Sequence, residues 1–168
     1  MRAIHILAVV AYLGGGLLMH LSLRRAMRRI PPGQASIIGA EVGRDFTIIS
    51  WLSLSAWGIT GYWMLFRYGW GDPISPLTLL VSPAMLGTAR GKGILVMVAS
   101  WYLLIISAAV ITFVLRPRLT ARLPPSVDTA QVEQAADRIV GAARWIDRLA
   151  IANLLLAVIG FFAGVLLR

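Results

Sequence analysis

The sequence predicts an all-α fold: an up-down bundle of four transmembrane helices. Two observations carry that expectation. Four apolar stretches, roughly 3–23, 46–66, 93–115 and 149–167, each have about the 20 residues a helix needs to cross the ~30 Å hydrocarbon core of a bilayer. Apolar residues make up 58% of the 168-residue chain and charged residues only 14%, against about 25% in soluble domains. A chain of this length has no interior that could hide four such helices from water. It therefore reads as one polytopic membrane domain, 1–168.

The connectors set the expected orientation. Eleven arginines (24, 25, 28, 29, 44, 116, 118, 122, 138, 144 and 148) follow the first and third stretches, and five basic residues (Arg2, Arg67, Arg90, Lys92 and Arg168) lie on the other side. The excess of basic residues assigns the first and third connectors to the cytoplasm and both termini to the outer side. The expected location is a bacterial-type inner (cytoplasmic) membrane. The positive cluster follows the first apolar run rather than preceding it, so that run reads as a retained helix inserted with its N-terminus outside, and not as a signal peptide. The net charge of +9 belongs to these topology determinants, and nucleic acid is not an expected partner.

Each element has its own signals. Ile30-Pro31-Pro32-Gly33 breaks the first helix, and Gln34–Asp45 is expected to lead helically into the second span. Tyr68–Gly91 reads as a long outer loop. Within it Ser82-Pro83, an N-cap followed by proline at the first helical position, predicts a short interfacial helix over Ala84–Ala89. Trp63, Tyr68 and Trp70 fit an outer aromatic belt. Pro117, Pro124 and Pro125 end the third span. Beyond them Val132, Ala135, Ile139, Ala142 and Ile146 recur at helical spacing, which predicts an amphipathic cytoplasmic helix over about 127–148. No breaker separates it from the fourth span, so the two are expected to form one helix.

Few residues carry chemistry. There is no cysteine, which excludes disulfides and thiolate metal sites. No acidic residue falls inside a span, so a carboxylate proton relay has no carriers. Both histidines lie on the first helix. Their fifteen-residue separation puts them about 22 Å apart in height, so they cannot share a metal. His5 belongs to the outer level and His20 to the inner one, near Asp45, Asp147 and Asn153.

In an up-down bundle the first and third spans run the same way, which brings Lys92 to the level of His5, with Met64 and Met97 close by. Imidazole and thioether suit copper(I) or haem iron, so His5, Met64 and Met97 form the candidate metal set, and His5 with Lys92 the candidate cofactor pair. Each also has an ordinary use: lysine snorkels to headgroups and methionine fills gaps in packing. The stripe His5, Ala8, Tyr12, Gly15 and Met19 follows the helical period and supplies small residues toward an inner space. Gly15, Gly58, Gly61, Gly160 and Gly164 are candidate close-packing positions, the last two as a GxxxG.

The run from His5 to Gly16 (HILAVVAYLGGG), a histidine followed by a glycine-rich apolar turn, resembles the first helix of the copper resistance D-like superfamily of four-helix membrane proteins. Arg44-Asp-Phe through Thr60-Gly61 resembles that family's second helix, and Gly91-Lys92-Gly93 its lysine at the head of the third. A more distant likeness is to the haem-b-dependent bacterial protoporphyrinogen oxidase, which pairs a first-helix histidine with a lysine. By resemblance His5 and Lys92 take those roles here.

The functional expectation is a non-catalytic membrane subunit or accessory protein of a redox or metal-handling complex, in contact with lipid and other membrane subunits and with room for a cofactor near the outer surface. Two chemical alternatives remain open: a haem-b protein or oxidase with His5 as ligand, and copper passage from the outer side.

Overall fold

A computed structural model describes residues 1–69, 83–119 and 129–165. The parts of the sequence reading that concern Trp70, Ser82, Arg122, Pro124, Pro125, residues 127–128, Arg168 and the end of the fourth span lie outside these residues. Among the described residues the fold is all-helical, with four long helices and one short one. Helix α1 spans Arg2–Met27, α2 Pro32–Arg67, α3 Pro83–Gly87, α4 Ala89–Leu119 and α5 Thr129–Val165. Three of them (α1, α4 and the Asp137–Val165 part of α5) are long and apolar enough to cross a membrane. In α2 the indoles of Trp51, Trp57 and Trp63 and the hydroxyls of Ser50, Ser53, Ser55 and Thr60 dilute the hydropathy, although no charge falls between Phe46 and Phe66.

Local chemistry sets the ends. The break between α1 and α2 is short because Pro32 occupies the first turn of α2, where proline's missing N–H would have had no helical partner. Helix α4 is capped by Thr88, whose Oγ1 accepts the backbone N–H of Gly91 at 3.0 Å. Near their arginine-rich ends both α1 and α4 widen into a π-helical stretch, over Leu18–Leu23 and Val110–Leu115.

Contacts along the bundle fix its topology. His5 meets Thr60 while Gly15 meets Phe46, so α1 and α2 are antiparallel. Met97 lies against Gly164 and Ser100 against Gly160, so α4 and α5 are antiparallel too. These two hairpins hold the most extensive contacts, with α1 also touching α5 and α2 touching α4; α1 and α4 are therefore diagonal and point the same way. Polar ties join the hairpins. Trp101 Nε1 donates to the Leu54 carbonyl at 2.9 Å, Trp51 Nε1 to Thr112 Oγ1 at 3.1 Å, and Arg24 pairs with Asp147 at 2.7 Å. The core they surround contains Ala8, Tyr12, Leu54, Trp57, Leu104 and Ala157. Outward, Leu7, Leu52, Ile59, Phe113 and Leu155 are all more than half exposed, an apolar girdle of the kind that water does not tolerate on a monomer.

Candidate functional site

Both N-terminal ends of the diagonal helices and the C-terminal ends of α2 and α5 meet at one end of the bundle, and there the packing opens. A cavity of about 440 Å³ is lined by His5, Trp57, Gly58, Gly61, Met97 and Trp101, among others. A second, of about 340 Å³, shares His5, Trp57, Gly61, Leu65 and Met97 with it and extends to Met64, Phe161 and Gly164. Each falls within or close to the roughly 300–1,000 Å³ of small-molecule sites, and the lining is mostly apolar, as such sites usually are.

His5 is the polar centre of this region. It rides on α1 one turn above Ala8 and Val9, which are buried against the core, so helical period turns it inward. Its Nδ1 lies 3.0 Å from Thr60 Oγ1. That hydroxyl has one hydrogen, already given to the α2 backbone, to the Ala56 carbonyl at 2.5 Å, with the Trp57 carbonyl at 3.2 Å. The Thr60 oxygen is therefore the acceptor, and Nδ1 carries the proton. In that neutral tautomer Nε2 holds the lone pair, and the ring also hydrogen-bonds the Trp57 backbone. The ring stands edge-on to Trp57, centroids 6.3 Å apart at 84°, and its Cε1 lies 3.0 Å from where a Cβ on Gly61 would be. Glycine at 61 thus makes room for the imidazole. Fixing one ring nitrogen as a donor so that the other is a ready ligand is how metal-binding histidines are oriented.

The remaining candidates divide. Met97 borders both cavities and Met64 the second. Lys92 is exposed and lies one residue past the buried Gly91, so about 100° of helical turn carries it off the inward face; it is not among the residues lining either cavity. His20 sits in the π-helical stretch of α1, at the opposite end. No cluster of three or more His, Asp or Glu is present among the described residues. Gly15, Gly58, Gly61, Gly160 and Gly164 all lie against neighbouring helices of this chain, facing Phe46, Trp101, His5, Ser100 and Met97 respectively.

The outer rim of the second cavity is cationic. Arg2 stacks over the Tyr68 ring, 5.6 Å from its centroid, and donates to the Tyr68 hydroxyl; Arg90 also borders the cavity. Sequence reasoning did not single out Thr60 and Trp57 as neighbours of His5. The signal available was the Thr60-Gly61 dipeptide, a hydroxyl beside a space-making residue. Compared with known proteins, the chain matches no family model, no curated protein and no solved structure.

Proposed function

We propose that this protein is a non-catalytic, cofactor-holding subunit of a membrane complex, with haem b as the cofactor and His5 as a ligand to its iron. Four spans, with α2 as the fourth membrane-crossing helix, and both termini on the outer side complete the reading, because eleven basic residues against five favour a cytoplasmic position for the α1–α2 and α4–α5 connectors. The end of the bundle holding His5 is then the outer one.

The observation that carries the proposal is the His5 imidazole, held at Nδ1 by Thr60 beside an apolar, tryptophan-lined cavity, the arrangement that orients a histidine as a ligand. The residues present fit the group. Imidazole is an ordinary axial ligand, the apolar walls suit a macrocycle, and Arg2 and Arg90 at the rim suit its carboxylates. When bound, haem supplies one-electron chemistry at iron. What the chain itself supplies is the oriented imidazole, the dry walls and the cationic rim.

The test is an absorption spectrum of protein purified in mild detergent after expression with ample haem. A Soret band in wild type that His5→Ala removes supports the reading; no Soret band in wild type overturns it. Copper(I) at His5 with Met64 and Met97 is the competing outcome, and stoichiometric copper by elemental analysis in haem-free protein would establish it. The chain's lack of cysteine makes topology separately testable. A single cysteine replacing Arg67 is expected to react with an impermeant maleimide from outside the cell and one replacing Arg28 is not; the reverse pattern would invert the bundle.

A further inference from the structure

The two hairpins share features of backbone and burial, although their sequences do not repeat. In α1 the six-residue π-helical stretch Leu18–Leu23 is followed by one last α turn, Arg24–Met27; in α4 the stretch Val110–Leu115 is followed by Arg116–Leu119. Setting Leu18 on Val110 places Ala8 on Ser100 and Tyr12 on Leu104, all four buried, and Arg24 on Arg116. The second helices follow the same rule. Setting Gly61 on Gly164 places Leu54 on Ala157, both 0% exposed, and Ser50 on Asn153, both buried polar residues. The two hairpins thus run parallel to each other with these positions in register, and parallel units of this kind build sites at their interface in other membrane proteins.

In this alignment the counterpart of His5 is Met97. The relation extends to their supports, because Gly61 leaves space at His5 Cε1 and Gly164 leaves space at Met97 Sδ, where a Cβ would approach to 3.0 and 3.4 Å. The two side chains sit at the same level, on diagonal helices, and both border both cavities. We infer that His5 and Met97, one from each hairpin, form the ligand pair for a single metal centre; under the haem reading on which this rests, they would be the two residues that hold its iron. Methionine is the softer ligand and favours the reduced iron, so the pair gives a higher reduction potential than two histidines would. Lys92, off the inward face, has no part in it.

Haem-loaded protein in detergent tests the pairing, with electron paramagnetic resonance and redox titration as readouts. Wild type is expected to be six-coordinate and low-spin. Met97→Leu, which nearly conserves volume, is expected to keep the Soret band but turn the iron high-spin. Met97→His is expected to restore the low-spin state with a lowered midpoint potential, a combination that a packing role for Met97 would not produce. A Met97→Leu protein with the spin state and potential of wild type overturns the pairing while leaving His5 ligation standing. A wild type with no Soret band overturns the haem reading and the pairing together.

Discussion

Replacing Gly58 by alanine is expected to be among the most damaging single-methyl changes in this bundle. A Cβ at that position would lie 2.2 Å from Trp101 Cζ2 and 2.6 Å from Cε2, against the ~3.5–4.0 Å at which carbon atoms rest. The indole must therefore retreat by roughly 1.3 Å or more. It is not free to do so, because Nε1 is bonded to the Leu54 carbonyl at 2.9 Å, one turn earlier on the helix that carries Gly58. Overpacking of this kind costs about 1–3 kcal/mol and the lost hydrogen bond about 1 kcal/mol. Alanine's better helix propensity returns about 1 kcal/mol, leaving a net loss of roughly 1–3 kcal/mol. Gly14 is the control: nothing lies within 4 Å of its Cβ position, so Gly14→Ala is expected to stabilise by about 0.5–1 kcal/mol. The assay is the reversible unfolding midpoint in one detergent, with Gly58→Ala repeated in a Trp101→Leu background, where the offending ring atoms are gone and most of the loss should vanish. A Gly58→Ala change as harmless as Gly14→Ala, or equally costly with and without the indole, would refute the packing account.

Thr60→Val removes the acceptor for His5 Nδ1 while keeping the side chain's shape, and is expected to weaken haem binding about 10–100-fold, read by titration of the Soret band, without loss of helix content. Gly61→Ala, whose methyl would press on the imidazole at 3.0 Å, should displace the ring by a few tenths of an ångström and change the haem's absorption and affinity while the bundle persists. Arg24→Ala is expected to lower stability by about 1 kcal/mol or less, because both partners of the Arg24–Asp147 pair are nearly half exposed and such pairs are screened. A double mutant with Asp147→Ala no less stable than either single mutant would confirm that the pair acts as one unit.

Hydropathy and helical period made the all-helical class legible, because a run of 20 apolar residues leaves the backbone only one economical way to satisfy its hydrogen bonds in lipid. The second helix shows where that signal thins. Its tryptophans and serines lower its mean hydropathy, yet Ser50, Ser53, Trp57 and Thr60 are its buried face, so the polar content marks contacts between helices. At the site, His5 stood out in the sequence because only two histidines exist. Its environment did not stand out: Thr60 is fifty-five residues away and meets it only through antiparallel pairing. Lys92 and Met97 both lie near the head of α4, and only the phase set by buried Gly91, Ile94 and Ser100 separates the outward lysine from the inward methionine. The likeness of the two hairpins was hidden for a related reason, since what they share is a π-helical stretch and burial at matched positions, where Tyr12 and Leu104 are unlike side chains.

The same physics ties the packing to the site. Lipid tails are as apolar as leucine, so burying apolar surface does little to hold helices together in a membrane, and close approach at small residues must serve instead. In this bundle each such approach is a glycine facing a side chain from a neighbouring helix: Gly15 takes Phe46, Gly39 takes Met27, Gly58 takes Trp101, Gly61 takes His5 and Gly164 takes Met97. At Gly15, Gly39 and Gly58 the occupants are hydrocarbon, thioether or indole used as filling. At the cavity end two of these contacts, at Gly61 and Gly164, hold an imidazole and a thioether, and there the space beside them is open. The site thus reuses the packing device of the whole bundle, which is why Gly61→Ala is expected to disturb binding where Gly58→Ala disturbs folding.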